Sequence, residues 1–173
     1  MVYVKLIRNT YADLSYIHNL CNYVLKEELR GVGGYGANPY HPDLADAQMR
    51  FIKVFYGKES GNPLIHIMIS LDKCAETAKK ACELADKFAR YYMDKYQVIW
   101  AVHEKEHGKS HFHVHLILNS VSYVNGKMFH GDIGEMNAYS KYISKLTERK
   151  VWFEFERKIS DGYSTEETRS LNR

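Results

Sequence analysis

The stretch His111-Phe112-His113-Val114-His115-Leu116-Ile117-Leu118-Asn119 carries an imidazole at three successive odd positions. Residues two apart on a strand share a face. His111, His113, His115 and Ile117 therefore point one way, and Phe112, Val114, Leu116 and Leu118 the other. The second face is apolar enough to pack under helices. The first lines up the side chain most often found as a metal ligand. Upstream, residues 97–103 (Gln-Val-Ile-Trp-Ala-Val-His) read as a partner strand, with residues 104–110 as the turn. With Gly108 at the centre of that hairpin, His103 lies directly across from His113. His115 lies on the diagonal, and all three are close enough to share one ion. Three protein ligands leave coordination positions open, as in a catalytic rather than a structural site. His111 is the spare, because same-face neighbours stack roughly 6.6 Å apiece along a strand.

The rest of the chain must hold this hairpin. Residues 2–7 alternate and form a first strand. Thr10-Tyr11-Ala12-Asp13 is a capping box, and the helix it starts has Leu14, Ile17, Leu20, Cys21, Val24 and Leu25 as its core stripe. Tyr16 and Tyr23, seven residues apart, fall opposite that stripe and are expected to face outward. Residues 31–42, rich in Gly and Pro, read as a flexible loop that matches no phosphate-cradling motif. Asp43 is expected to cap a helix running to about Tyr56, with Met49, Ile52 and Phe55 inward. Residues 63–71 are nearly continuously apolar, the pattern of a central strand. His66 and Ser70 share one of its faces, and His66 reads as a supporting group rather than a ligand. Residues 74–93 suggest one long helix lined with alanines. Residues 121–129, with Asn125-Gly126 at the turn, suggest a second hairpin. A helix over residues 134–150, with Met136, Tyr139, Ile143 and Leu146 inward, and a short edge strand over residues 151–155 complete the series. This order predicts an α+β fold: an antiparallel sheet with flanking helices.

At 173 residues and 45% apolar content, the chain can bury one domain's core. Residues 1–158 are expected to form that domain. Residues 159–173 are expected to be a polar tail or the start of a linker. The net charge of +3 permits nucleic acid as a partner without demanding it. Three cysteines with no CxxC pair read as reduced thiols of a cytoplasmic protein. No apolar run reaches membrane length.

The constellation His103, His113-x-His115 and Asn119, with an outward tyrosine on an amino-terminal helix, resembles a relaxase. The likeness is to the mobilisation nucleases of the MobA/VirD-like group, within the HUH endonuclease superfamily. Asn22-Tyr23-Val24-Leu25 stands where that family has its nucleophile-bearing helix. Residues 35–39 and 55–58 resemble its loop and following helix, and His66-Ile67-Met68-Ile69-Ser70 its His-x-x-x-Ser strand. Residues 113–130 are the nearest match of all. The likeness covers about residues 1–155. Two features depart from the pattern. The acids that often follow the family's first histidine at two and four residues are replaced by Lys105 and His107. The Lys-Thr that often trails the tyrosine is replaced by Lys26-Glu27-Glu28.

The resemblance implies a site- and strand-specific nuclease that works on single-stranded DNA at an origin of transfer. An adjacent DNA hairpin, accessory DNA-binding proteins and a coupling protein are the implied partners, in the bacterial cytoplasm. His103, His113 and His115 would hold a divalent ion, Mn or Mg in expectation, with Zn, Ni or Co as alternatives. By ligand type three histidines suit Mn, Zn, Ni or Co, whereas Mg favours oxygen. Tyr23 would attack the phosphate and form a 5′-phosphotyrosine link. Tyr16, Asn119, His66, Lys26 and Arg30 would support the site or touch DNA, with Lys5 and Arg8 as further phosphate contacts. Tyr142-Ile143-Ser144-Lys145 fits the Tyr-x-x-Lys pattern of the superfamily's rolling-circle replication initiators, which makes Tyr142 the rival nucleophile. Two other readings stay open: a metal-dependent phosphodiesterase that uses activated water, and a DNA-binding module without catalysis.

Overall fold

The structure is a computed structural model. It describes residues 1–7, 15–25, 29–107 and 109–155, and for residues 105–107, 109 and 110 the backbone alone. Ten elements follow in chain order: β1 (Val2–Ile7), α1 (Ser15–Val24), β2 (Leu29–Tyr35), α2 (Pro42–Phe55), β3 (Leu64–Ser70), α3 (Ala78–Arg90), β4 (Val98–His107), β5 (Lys109–Asn119), α4 (Ile133–Thr147) and β6 (Val151–Phe155). The strands make one open sheet in the order β2-β4-β5-β3-β1-β6. Every neighbouring pair is antiparallel except β1 and β6, which run parallel. This is the α+β architecture expected from the sequence. Among the described residues no helix is long and apolar enough to cross a membrane.

Period-two alternation divides the side chains between two cores. Val2, Val4 and Leu6, with Ile65, Ile67 and Ile69, Val98, Trp100 and Val102, and Phe112 to Leu118 at even numbers, face α3 and α4. There they meet Leu84, Phe88, Met136, Tyr139 and Ile143. The opposite face is smaller. Leu64, Ile99, Ala101 and Ile117 pack under α1 and α2 through Tyr16, Ile17, Leu20, Val24, Ala45 and Met49. The odd-numbered imidazoles of β4 and β5 belong to this second face.

Several expectations needed correction. Residues 31–35, the first part of the loop expected over 31–42, belong to the edge strand β2. Glycines 31 and 33 let the strand lie flat on α3 and β4: a Cβ on Gly31 would run into Cys82 Sγ, and one on Gly33 would come within 2.5 Å of the Trp100 ring. On α2 the N-cap is His41, with Pro42 at the first position and Asp43 inside the first turn. Its inward stripe is Ala45, Met49 and Lys53, a four-residue repeat, so Phe55 turns outward at 68% exposure. The long helix expected from residue 74 begins only at Ala78, where the Thr77 hydroxyl accepts from the Lys80 amide. A short 3-10 turn, Asp72–Cys74, precedes it. Residues 104–107, 109 and 110, expected in a turn, are paired as strand. Residues 121–129 form a turn closed by the single bridge Val121↔Met128, not a two-stranded hairpin. The α4 helix starts at a capping box of Asp132 and Glu135. The capping box read at residues 10–13 lies outside the described residues.

Candidate active site

Strand register brings the three imidazoles together. His103 is the direct partner of His113 across β4 and β5, and His115 faces Ala101 one same-face step along. The ring centroids are 5.3 Å apart for His103–His113, 4.8 Å for His103–His115 and 5.0 Å for His113–His115. One nitrogen from each ring can be chosen so that all three lie within 4.8 Å of one another. Ligands bound at about 2.1 Å to one ion stand at most about 4.2 Å apart, so small ring rotations would bring the trio onto a common cation. All three side chains are buried.

Two of the rings have their second nitrogen engaged. His103 Nε2 lies 2.7 Å from the Val24 carbonyl oxygen at the end of α1. A carbonyl can only accept, so Nε2 carries a proton, and in the neutral ring Nδ1 then has the lone pair. His115 Nδ1 lies 2.8 Å from His66 Nε2. Burial, with the nearby His103, pushes the His66 imidazole down to about 4, so it is neutral at physiological pH. When His115 donates from Nδ1 to His66, its Nε2 is left bare for an ion. Such outer partners fix the orientation of ligating histidines. The donor chemistry therefore fits a divalent cation held by His103, His113 and His115, with His66 supporting from behind.

The candidate nucleophiles fall on opposite sides of the sheet. Tyr23 is on the exposed face of α1, 66% exposed, and is the immediate neighbour of the Val24 whose carbonyl meets His103. Tyr142 is on the α3/α4 side. Its hydroxyl donates to the Lys87 carbonyl at 2.8 Å and its ring packs on Tyr91 and Tyr139, so the sheet stands between it and the imidazoles. Tyr139 is wholly buried beside it.

The supporting residues are more scattered than the sequence suggested. Tyr16 is buried at 9% exposure, not outward. Near that end α1 meets the first turn of α2 through His18 Nδ1 and Asp43 at 3.1 Å. Asn119 is fully buried. Its amide donates to the Met49 carbonyl and Gln97 Oε1 and accepts from the Val121 amide, pinning α2 to the sheet about 13 Å along β5 from His115. Arg30 is exposed but engages Glu104 at 2.6 Å. Lys26 and Arg8 lie outside the described residues. His111 is exposed, beyond the cluster.

Sequence reading missed what flanks the trio on its other side. His113 faces Ser70 on β3, and Ser70 faces Tyr3 on β1. Alternation in β1 separates Tyr3 from the core, but only the strand order places it beside the imidazoles.

A family model described as "Relaxase: MobA/VirD2-like, nuclease domain" matches residues 16–152. The chain is also similar to "Protein rlx" of Staphylococcus aureus, 27% identical over 108 residues, which is 62% of this chain and 33% of that protein. The chain thus spans about a third of the length of the curated relative it matches. No solved structure matches it.

Proposed function

The chain belongs to the MobA/VirD2-like relaxase nuclease family, and we propose that it nicks and rejoins one DNA strand at an origin of transfer through Tyr23. The observation that carries this reading is the 2.7 Å contact between His103 Nε2 and the Val24 carbonyl. Val24 directly follows the exposed Tyr23, so the contact joins the helix that carries this phenol to one of the three imidazoles, which supports the reading. His103, His113 and His115 would hold a divalent cation, Mn or Mg, with Zn, Ni or Co as alternatives. When bound, the cation polarises the non-bridging oxygens of the scissile phosphate and offsets the charge that builds on them.

Tyr23 loses its proton to solvent or a base and its oxygen attacks phosphorus in line. The bond to the 3′ oxygen breaks as the new one forms, leaving a 5′-phosphotyrosine and a free 3′-hydroxyl. One phosphodiester replaces another, so a 3′-hydroxyl returned to the site reverses the step and recloses the strand. His66 holds His115 in the ligating orientation throughout. This is the chemistry of plasmid or integrative-element mobilisation in a bacterial cytoplasm, with a DNA hairpin, accessory proteins and a coupling protein as partners.

The test is incubation of the protein with manganese and single strands from the origin of transfer, followed by mass mapping of the adducted peptide. The adduct is expected on Tyr23. Tyr23→Phe should reduce adduct formation by about 10³-fold or more while DNA affinity stays within twofold. An adduct on Tyr142 or Tyr16 would overturn the assignment, and metal-dependent cleavage with no adduct would replace it with hydrolysis by water.

A further inference from the structure

One row of side chains crosses the imidazole face of the sheet. His103 on β4 faces His113 on β5, His113 faces Ser70 on β3, Ser70 faces Tyr3 on β1, and Tyr3 faces Trp152 on β6. With neighbouring strands about 4.8 Å apart, Tyr3 stands about 10 Å and Trp152 about 14 Å from His113. The facing is settled by the core on the other side. Val151, Phe153 and Phe155 pack toward α3 and α4, so Trp152 and Glu154 point to the imidazole side. Tyr3 is 50% exposed, and Ser70, Met68 and Trp152 are partly exposed. The cluster that covers this face elsewhere takes no residue from β1 or β6. Among the described residues, then, two aromatic side chains are register partners on the strand row that leads from the candidate metal site, and the core cluster under α1 and α2 includes neither.

We propose, building on the relaxase reading, that Tyr3 and Trp152 form a shelf on which bases of the single strand stack within a few nucleotides of the scissile phosphate. Aromatic rings accept any base, because every base has a π-face, so the shelf holds the strand without reading its sequence. Local charge favours bases over phosphates as the contact. One same-face position along from Tyr3, Lys5 on β1 pairs in register with Glu154 on β6, leaving the shelf near neutrality. The simpler role for such a pair is cross-strand packing that stabilises the parallel edge. The two roles have different readouts.

The probe is a single-stranded oligonucleotide spanning the nick, with 2-aminopurine placed singly at each of the four positions on either side. Wild-type protein should quench its fluorescence at consecutive positions on one side of the nick only. Tyr3→Val and Trp152→Val keep good strand formers at both sites. Each should raise Kd and KM about tenfold, abolish the quenching, and leave kcat for adduct formation and the dependence of log Kd on log salt unchanged. Tyr3→Phe and Trp152→Phe should restore binding. A lower Tm in the Val variants with unchanged Kd, KM and quenching would reduce the pair to strand packing and overturn the shelf. A changed salt slope would mean phosphate contact instead of stacking. Failure of the wild-type protein to form any adduct would defeat the relaxase reading, while the quenching pattern would still judge the shelf.

Discussion

Lys53 shows how far a residue's role can depart from its type. It sits at 1% exposure in the inward stripe of α2, and its Nζ donates to Ser120 Oγ at 2.7 Å. Ser120 in turn donates to the Asn62 carbonyl, so the lysine braces the chain between α2 and β3. Burial pushes its ammonium from 10.5 down to about 8. Between those values the unfolded chain binds a proton that the folded chain has released, so stability rises with pH across that window. Below pH 8 both states are protonated and the cost of burying the charge is constant. Urea midpoints should therefore show wild type gaining on Lys53→Met by up to about 3 kcal/mol between pH 8 and pH 10.5. Nothing in Ile52-Lys53-Val54 announced this, since a lone lysine on an amphipathic helix is normally solvated. The imidazole trio was legible for the opposite reason. Its members sit on strands whose alternation is local, so parity alone fixed their face. Tyr16 and Tyr23 share a helical phase, yet one is buried and the other exposed, so phase alone did not decide their burial.

At the level of elements, the pairing of β4 with β5 and the register of His103 against His113 could be read from the sequence, because the apolar residues of β5 alternate and a hairpin sets its own register. The length of the two strands past residue 103 could not. Nor could the β2 strand. Its Leu-Arg-Gly-Val-Gly-Gly-Tyr sequence has the composition of a loop, and it is a strand because β4 and α3 supply partners far away in the chain. Tyr35 closes the arrangement by donating to Asp86 on α3, which also holds Arg90. Close approach rather than turn geometry accounts for Gly33, since the ring its Cβ would strike belongs to the largely buried Trp100. Gly33→Ala should cost about 1–3 kcal/mol in urea unfolding, as expected for overpacking a site that cannot relax. An unchanged midpoint would show that β2 lifts off the sheet without penalty. The α2 helix misled differently: Met49, Ile52 and Phe55 are apolar, but the groove they meet accepts the Ala45, Met49 and Lys53 edge instead.

At the scale of the whole molecule the two candidate tyrosines part company, one on each side of the sheet. Tyr23 and Tyr142 both fit family-like patterns in sequence, and only the completed sheet, with α1 and α2 on one face and α3 and α4 on the other, separates them. It also decides what a cation would do to the fold. The trio joins two central strands and, through Val24 and His66, touches α1 and β3, so ion binding should stabilise the domain as a unit. Manganese at about a hundred times its Kd should raise Tm by about 5–10 °C. His115→Ala should abolish that rise, and His66→Ala should weaken manganese affinity by about 10–100-fold in calorimetry. A rise that survives His115→Ala would place the ion elsewhere. The parallel pairing of β1 with β6 carries a different consequence, one of timing. During synthesis β1 can zip onto β3 once Ser70 has left the ribosome, yet its other edge stays open until Phe155 arrives, roughly 4–17 s later at usual elongation rates. For that interval the nascent chain exposes a bare row of amides and carbonyls, the template on which chains of this kind join edge to edge. β6 therefore acts as the clasp that ends the danger.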